Sequence, residues 1–374
     1  MITRVYIDNF RCFTNFEIRP ERVNLLIGNN GAGKSTFIDV LHRVIGLAVM
    51  GEAVQEGFPL NTLTRWDSRS TQRIEIDIKG NGGTYQYALE LSHDLVHETV
   101  TLQRELVKWN SNVVFLFEDG TVELHKNDGG FGTKFPFRGS RSFLPQLEPR
   151  PENTVLTWFL DFLRQAWLLK LDPTHIDSES RLESEALNTS GSNFASWYRY
   201  LSQERPEDLP KLFERLGQRL AGFRTLKTMS TGKALRRELV AVFGYGEPES
   251  RYEVDFDDLS DGERATIVLY CILTDAEGDA EGSARTLLLD EPENYVGLHL
   301  IQPWLVELAD AMSDKGQLFL ISHHPEVIDY LAAHRSLLFE RLGGGPTRVR
   351  ANPFDLDEGL KASELVARGL LDGE

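Results

Sequence analysis

The chain has 374 residues, 41% hydrophobic and 26% charged, enough for a substantial core shared among two or three lobes. Its 57 acidic and 40 basic residues leave a formal net charge of −17, which excludes a general nucleic-acid coat and confines any such contact to a local patch. Cys12 and Cys271 are too few for a disulfide framework and match no metal-ligand spacing. No signal-like run opens the chain and no stretch of about 18 apolar residues follows, so a cytoplasmic protein without a membrane partner is expected.

Alternation through Ile2, Arg4 and Tyr6 predicts an opening strand, and the unbroken apolar run "VNLLI" at 23–27 predicts a buried central one. Phe37, Ile38, Leu41, Val44 and Ile45 recur at helical spacing, so "GNNGAGKST" at 28–36 joins a strand to a helix. Between Gln72 and Lys126, alternating runs separated by Asn81-Gly82-Gly83 and Asp119-Gly120 predict an antiparallel meander. From Thr154 to about Val242 the pattern reads as helical, clearest at Leu209, Leu212, Phe213, Leu216 and Leu220, without a sustained heptad. Short apolar strands then return at 286–291 and 317–322, each followed by a helix, and a hairpin at 336–351 precedes a short helical tail. The expected division is 1–150, 151–255 and 256–374: a lobe with the glycine-rich loop and meander, a helical insertion, and a lobe that completes a parallel sheet.

The spacing Gly28, four residues, Gly33, Lys34, Ser35 is that of a P-loop. Gly28, Asn29, Asn30, Gly31, Ala32, Gly33 and Thr36 would turn backbone N–H groups around phosphate oxygens at a helix N-terminus, with Lys34 on the terminal phosphates and Ser35 on Mg²⁺. "TLLLDEPEN" supplies the partner such a loop needs. Asp290 ends an apolar strand and would enter the Mg²⁺ shell, and Glu291 would orient or deprotonate an attacking water.

In "LSDGERA" at 259–265, Ser260 and Glu263 satisfy a capping box, which alone would explain them. Gly262 in the first helical turn costs about 1 kcal/mol against alanine, which makes sense if the backbone there must approach a ligand.

Taken together, the glycine-rich loop, "LSDGE" and "LLLDEPEN" resemble the ATP-binding cassette ATPases, with Asp261 where the signature usually has its first glycine. The resemblance implies a P-loop NTPase α/β head fold with an antiparallel β subdomain and an inserted helical lobe. It also implies ATP and Mg²⁺ as cofactors, and a head-to-tail homodimer with two ATP molecules between the subunits. Ser260, Gly262 and Glu263 would then complete the site of the opposite subunit. The same pattern assigns His323, in preference to His324, as the switch histidine on the γ-phosphate.

"IDNFRCFTNFEI", "EPEN" and "SHHPEVIDYL" narrow the resemblance to the SMC, RecF and OLD-like branch, without a coiled-coil arm or a C-terminal nuclease domain. That branch implies Arg11 near the phosphates and a glutamine in the Mg²⁺ shell, for which Gln146 is the first choice and Gln55 and Gln72 compete. Phe10 and Phe13 read as packing residues.

Two outputs follow. One is DNA-associated work in repair or phage defence, using the basic segment Ala221–Arg237 and the smaller set Lys134, Arg138 and Arg141, although both also read as solvated surface. The other, implied by the resemblance alone, is a nucleotide-switched scaffold that controls a separately encoded nuclease or toxin. A transporter cassette is a poor fit, because the interval from Lys34 to Ser260 is far too long.

Overall fold

The structure is a computed structural model that describes residues 1–230, 232, 235–246, 250–278, 285–332, 335–354, 360–368 and 371. In chain order come β1 (Ile2–Asp8), β2 (Phe16–Ile18), β3 (Val23–Ile27), α1 (Lys34–Ile45) and the short α2 (Val54–Gly57). The meander follows as β4 (Thr71–Gly80), β5 (Gly83–Asp94), β6 (Thr99–Trp109), β7 (Asn112–Glu118), β8 (Thr121–His125) and β9 (Phe131–Pro136). Next are α3 (Thr154–Arg164), β10 (Ala166–Leu169), β11 (Glu179–Ser180), α4 (Phe194–Glu204), α5 (Leu209–Arg219), β12 (Phe223–Ser230), β13 (Arg237–Tyr245) and β14 (Ser250–Asp255). The chain ends through α6 (Asp261–Glu277), β15 (Thr286–Asp290), α7 (Leu298–Lys315), β16 (Gln317–Ile321), α8 (Pro325–Leu331), β17 (Arg335–Glu340), β18 (Arg348–Ala351) and α9 (Ala362–Ala367). Contacts gather these elements into two compact units, Met1–Ala166 with Ile328–Glu374, and Trp167–Val327.

In the first unit β1, β2 and β4–β9 form an eight-stranded antiparallel sheet in the order β2-β1-β4-β5-β6-β7-β8-β9. Alternation decides its faces: Ile74, Ile76 and Ile78 of β4 all point inward. Helix α3 lies on this sheet, with Trp158 and Phe159 stacked on Tyr85 and Tyr87. Strand β3 is buried on every residue and pairs in parallel with β17, which pairs antiparallel with β18. Phe37 of α1 meets Phe16 and Phe339, and Phe10 and Phe13 are fully buried, as their packing reading expects.

One buried carboxyl in this sheet has a pH consequence. Glu105 of β6 is fully buried and accepts from Tyr87 Oη at 2.9 Å and Ser142 Oγ at 2.7 Å. Burial pushes its carboxyl up to about 7 against those two hydroxyls. The folded state therefore binds this proton more tightly than the unfolded chain. The stability that follows is fully present below the ordinary carboxyl value of 4.5 and is lost as pH rises through about 7. Between pH 5 and 8 the wild type is expected to lose, relative to Glu105→Gln, on the order of 3 kcal/mol. Urea unfolding at both pH values measures this, and parallel curves for the two proteins would sink it.

In the second unit β10, β15 and β16 lie side by side, with β15 and β16 parallel and buried throughout. Helix α6 packs on α7, where Trp304 Nε1 donates to Leu269 O at 2.7 Å. The helical reading from Thr154 to about Val242 holds for α3, α4 and α5 but fails at β10 and β11 between them and again beyond α5. Residues 223–230 and 237–245 are antiparallel strands, joined on β13 by β11 and β14. Leu239 to Gly244 are buried in succession, so β13 lacks the alternation that marks a half-exposed strand. Among the described residues no helix is long and apolar enough to cross a membrane.

Candidate functional site

In the first unit the loop after β3 is shaped by close approach. Gly28 has φ 139°, and a Cβ there would sit 2.2 Å from Phe339 O, so only glycine fits. Gly33 has φ 106° and precedes α1 without a side-chain cap, and no acid lies in the first turn. No side chain of the first turn therefore compensates the partial positive charge of the helix N-terminus. Lys34 is buried, and its ammonium bonds Gly28 O at 2.6 Å and Asn29 O at 3.2 Å, curled along the loop. Asn29, Asn30, Gly31 and Ser35 are exposed and Thr36 is half-buried. Thr347 pins the loop from the β17–β18 turn, donating from Oγ1 to Ala32 O at 2.8 Å.

Arg11 has φ 47° and pairs with Asp39 of α1 at 2.8 Å, beside the face of Phe10. Among the three glutamines, Gln72 is fully buried, and its amide donates to Asn9 O and Thr62 O while accepting at the His93 ring. Gln55 of α2 accepts from the Val100 N–H and donates to Glu98 O at the start of β6. Both therefore serve the β lobe. Gln146 is exposed on the turn Leu144–Gln146 and lines a cavity of about 480 Å³ with His125, Lys126 and Arg150.

In the second unit the chemistry gathers where β15 and β16 end. Asp290 is 6% exposed; Oδ2 lies 3.1 Å from Lys170 Nζ, and Oδ1 is buried with no bond. Glu291 has φ 52°, a conformation that costs a non-glycine residue about 1–3 kcal/mol and concentrates at functional sites. Its N–H donates to Ile321 O at 2.9 Å, Oε2 accepts from Asn294 at 2.9 Å, and Oε1 lies 3.5 Å from His323 Nε2. His324, just before α8, instead turns to that helix, where its Nδ1 accepts from the Glu326 N–H at 3.3 Å. In the same turn, Glu293 Oε1 accepts from Ser322 Oγ and from the His323 N–H.

Ser260 caps α6 in a complete capping box, in which Glu263 takes the Ser260 N–H at 2.9 Å and hydroxyl at 2.7 Å. Asp261 pairs with Arg264. The close approach expected at Gly262 exists within the unit: a Cβ there would come 3.0 Å from Tyr295 O. A side chain here would therefore crowd the turn after β15 even without a ligand.

Two cations of the basic segment are paired with carboxylates. The segment forms the β12–β13 hairpin, where Lys227 pairs with Glu253 at 2.5 Å and Arg236 with Glu179 at 3.2 Å. Lys233 of that segment lies outside the described residues. In the smaller set Lys134 pairs with Glu123, and Arg141 bonds Gly51 O.

No cluster of three or more His, Cys, Asp or Glu side chains able to hold a metal ion occurs among the described residues. The donors present are nevertheless hard oxygens, and the unbonded, buried Oδ1 of Asp290 suits Mg²⁺, which takes few protein ligands and completes its shell with water and substrate phosphates. Lys170, Glu293 and Asn294 were not singled out from sequence. Lys170 sits in no motif, and Glu293 and Asn294 stand within "EPEN" with no signal of their contacts.

The family profile "AAA ATPase domain" matches residues 1–127, and "AAA domain, putative AbiEii toxin, Type IV TA system" matches residues 141–329. Among solved structures, the chain is similar to an SMC head bound to the C-terminal winged-helix domain of ScpA. The TM-score is 0.57 at 12% identity, over 96% of this chain and 99% of that one. An SMC head domain from Thermotoga maritima matches with TM-score 0.48 and 14% identity, over 94% and 98% of the respective chains. The first likeness shows a shared fold. No curated protein matches.

Proposed function

The chain belongs to the AAA-domain family matched over residues 141–329, an SMC-like P-loop ATPase type, and from that premise we propose a Mg²⁺-dependent ATPase that works as an ATP-sandwich homodimer. The observation that carries this reading is the carboxylate pair ending β15. Asp290 is buried with one oxygen unbonded, and Glu291 is held in a strained conformation against His323.

Each unit carries chemistry the other lacks. The Gly28–Thr36 backbone and Lys34 hold the β- and γ-phosphates, and Arg11 adds charge nearby. Ser35, Asp290 and Gln146 offer oxygens to Mg²⁺, which when bound would neutralise charge on the phosphates. Glu291 accepts a proton from the water that attacks the γ-phosphorus. The bond from that phosphorus to the β,γ-bridging oxygen breaks, leaving ADP and inorganic phosphate. His323 donates to the γ-phosphate and senses its departure. Ser260, Gly262 and Glu263 complete the site of the partner subunit, with the capping box keeping the α6 N-terminus in shape.

The proposed output is DNA-associated work in repair or phage defence, driven by closure of the dimer. A second reading, a nucleotide-switched scaffold for a separately encoded nuclease or toxin, is favoured by the ion pairs that neutralise Lys227, Arg236 and Lys134. The toxin–antitoxin description of the matched family also supports it. Binding of Glu291→Gln to duplex DNA, single-stranded DNA and RNA, with and without ATP and Mg²⁺ at two salt concentrations, decides between them. ATP-dependent binding that weakens steeply with salt is expected of the DNA reading. Absence of binding in every condition would sink it and leave the scaffold.

A further inference from the structure

Glu293 has no role in the chemistry described above, yet its position is costly. Its carboxylate is 9% exposed, Oε2 is buried without a bond, and among the described residues no cation pairs with it. A buried carboxylate of this kind is held only by its hydrogen bonds. Those bonds all run to one loop. Oε1 accepts from Ser322 Oγ at 2.5 Å and from the His323 N–H at 3.3 Å, and Ser322 Oγ accepts from the His324 N–H at 3.0 Å. Because β15 and β16 are parallel with Asp290 opposite Ile321, the turn after β15 and the loop after β16 leave the sheet together. Glu293 ties the second to the first. The loop so tied carries His323, whose Nε2 stands 3.5 Å from Glu291 Oε1.

We propose that Glu293 is a positioning residue for hydrolysis: it holds the loop after β16 so that His323 faces Glu291, without touching the nucleotide. The proposal rests on the ATPase reading above. Removing the acceptor frees the His323 backbone, whereas nucleotide affinity is set mainly by Lys34 and the loop after β3. Turnover should therefore fall while the KM for ATP stays nearly constant.

The test uses the full-length chain. Glu293→Ala is expected to lower kcat by about 10- to 100-fold at near-constant KM, as an active-site misplacement does. Glu293→Gln keeps an acceptor oxygen and should retain most of the turnover. The double variant Glu293→Ala/His323→Ala should be no slower than His323→Ala alone, because both remove one contribution. A Gln variant as slow as the Ala variant, or additive losses in the double variant, would overturn the proposal.

Amide hydrogen exchange over residues 317–328, measured without nucleotide, gives a reading independent of catalysis. It should speed up in Glu293→Ala and not in Glu293→Gln, and unchanged exchange in Glu293→Ala would also overturn the proposal. If the wild type hydrolyses ATP no faster than Lys34→Ala, the ATPase reading fails, and the exchange result still judges the Glu293 tie.

Discussion

Replacing Glu291 by glutamine is expected to leave ATP bound while slowing its hydrolysis by about 10²- to 10⁴-fold, the usual contribution of a positioned general base. The amide keeps the size of the carboxylate and can still accept from Asn294, the contact that spans 2.9 Å in the wild type. What it loses is the ability to take a proton. The loop after β3 lies in the other unit and is untouched, so nucleotide affinity should change little. The backbone at Glu291 reinforces this expectation. A φ of 52° is tolerated there because its N–H is bonded to Ile321 O and its side chain is held at both oxygens. That strain aims the carboxylate, and glutamine inherits the strain without the chemistry. Nucleotide binding by equilibrium titration and phosphate release in a single turnover separate the two properties. Near-normal phosphate release from the variant would reject Glu291 as the base, and loss of binding would show that it supports the site in some other way.

Local signals in the sequence were strongest where one physical requirement dominates. Strand β3 is buried on all five residues and reads as an unbroken apolar run. The meander alternates because one face of the sheet is covered. The P-loop is legible because glycine alone fits beside Phe339 O with φ 139°. The hairpin β12–β13 was hidden for the opposite reason, since β13 is covered on both faces and carries no period of two. In the candidate site, the residues proposed to act by chemical type, Lys34, Asp290 and Glu291, stand in motifs that the sequence displays. Residues that act by long-range contact do not. Lys170 reaches Asp290 from 120 positions away, and nothing around it announces that meeting. Gly262 teaches a related point: a Cβ there would crowd Tyr295 O within the same unit, so a glycine in a ligand-like motif can also answer to its own fold.

The proposed sandwich arrangement makes the second large prediction. Ser260 lies at the exposed N-terminus of α6, where its hydroxyl and N–H are both tied to Glu263. A bulky residue such as tryptophan at this position would break the cap, which costs about 1 kcal/mol, and would block a phosphate from approaching the helix end. Ser260→Trp should therefore fold, bind ATP through its own P-loop and fail to hydrolyse it. Lys34→Ala should fail because its own phosphates are not held. If both motifs served the same chain's nucleotide, mixing the two variants would recover nothing. In a two-fold dimer that joins each P-loop to its partner's α6 end, every mixed dimer holds one intact site and one doubly damaged one. Random exchange of equal amounts should then restore about one quarter of wild-type turnover per chain, provided the two sites act independently. Glu291→Gln in the Ser260→Trp chain supplies the control, because it removes the base from the one site that would be rescued and should return turnover to zero. Absence of recovery in a mixture shown by mass to contain mixed dimers would exclude the shared site and confine catalysis to each chain alone.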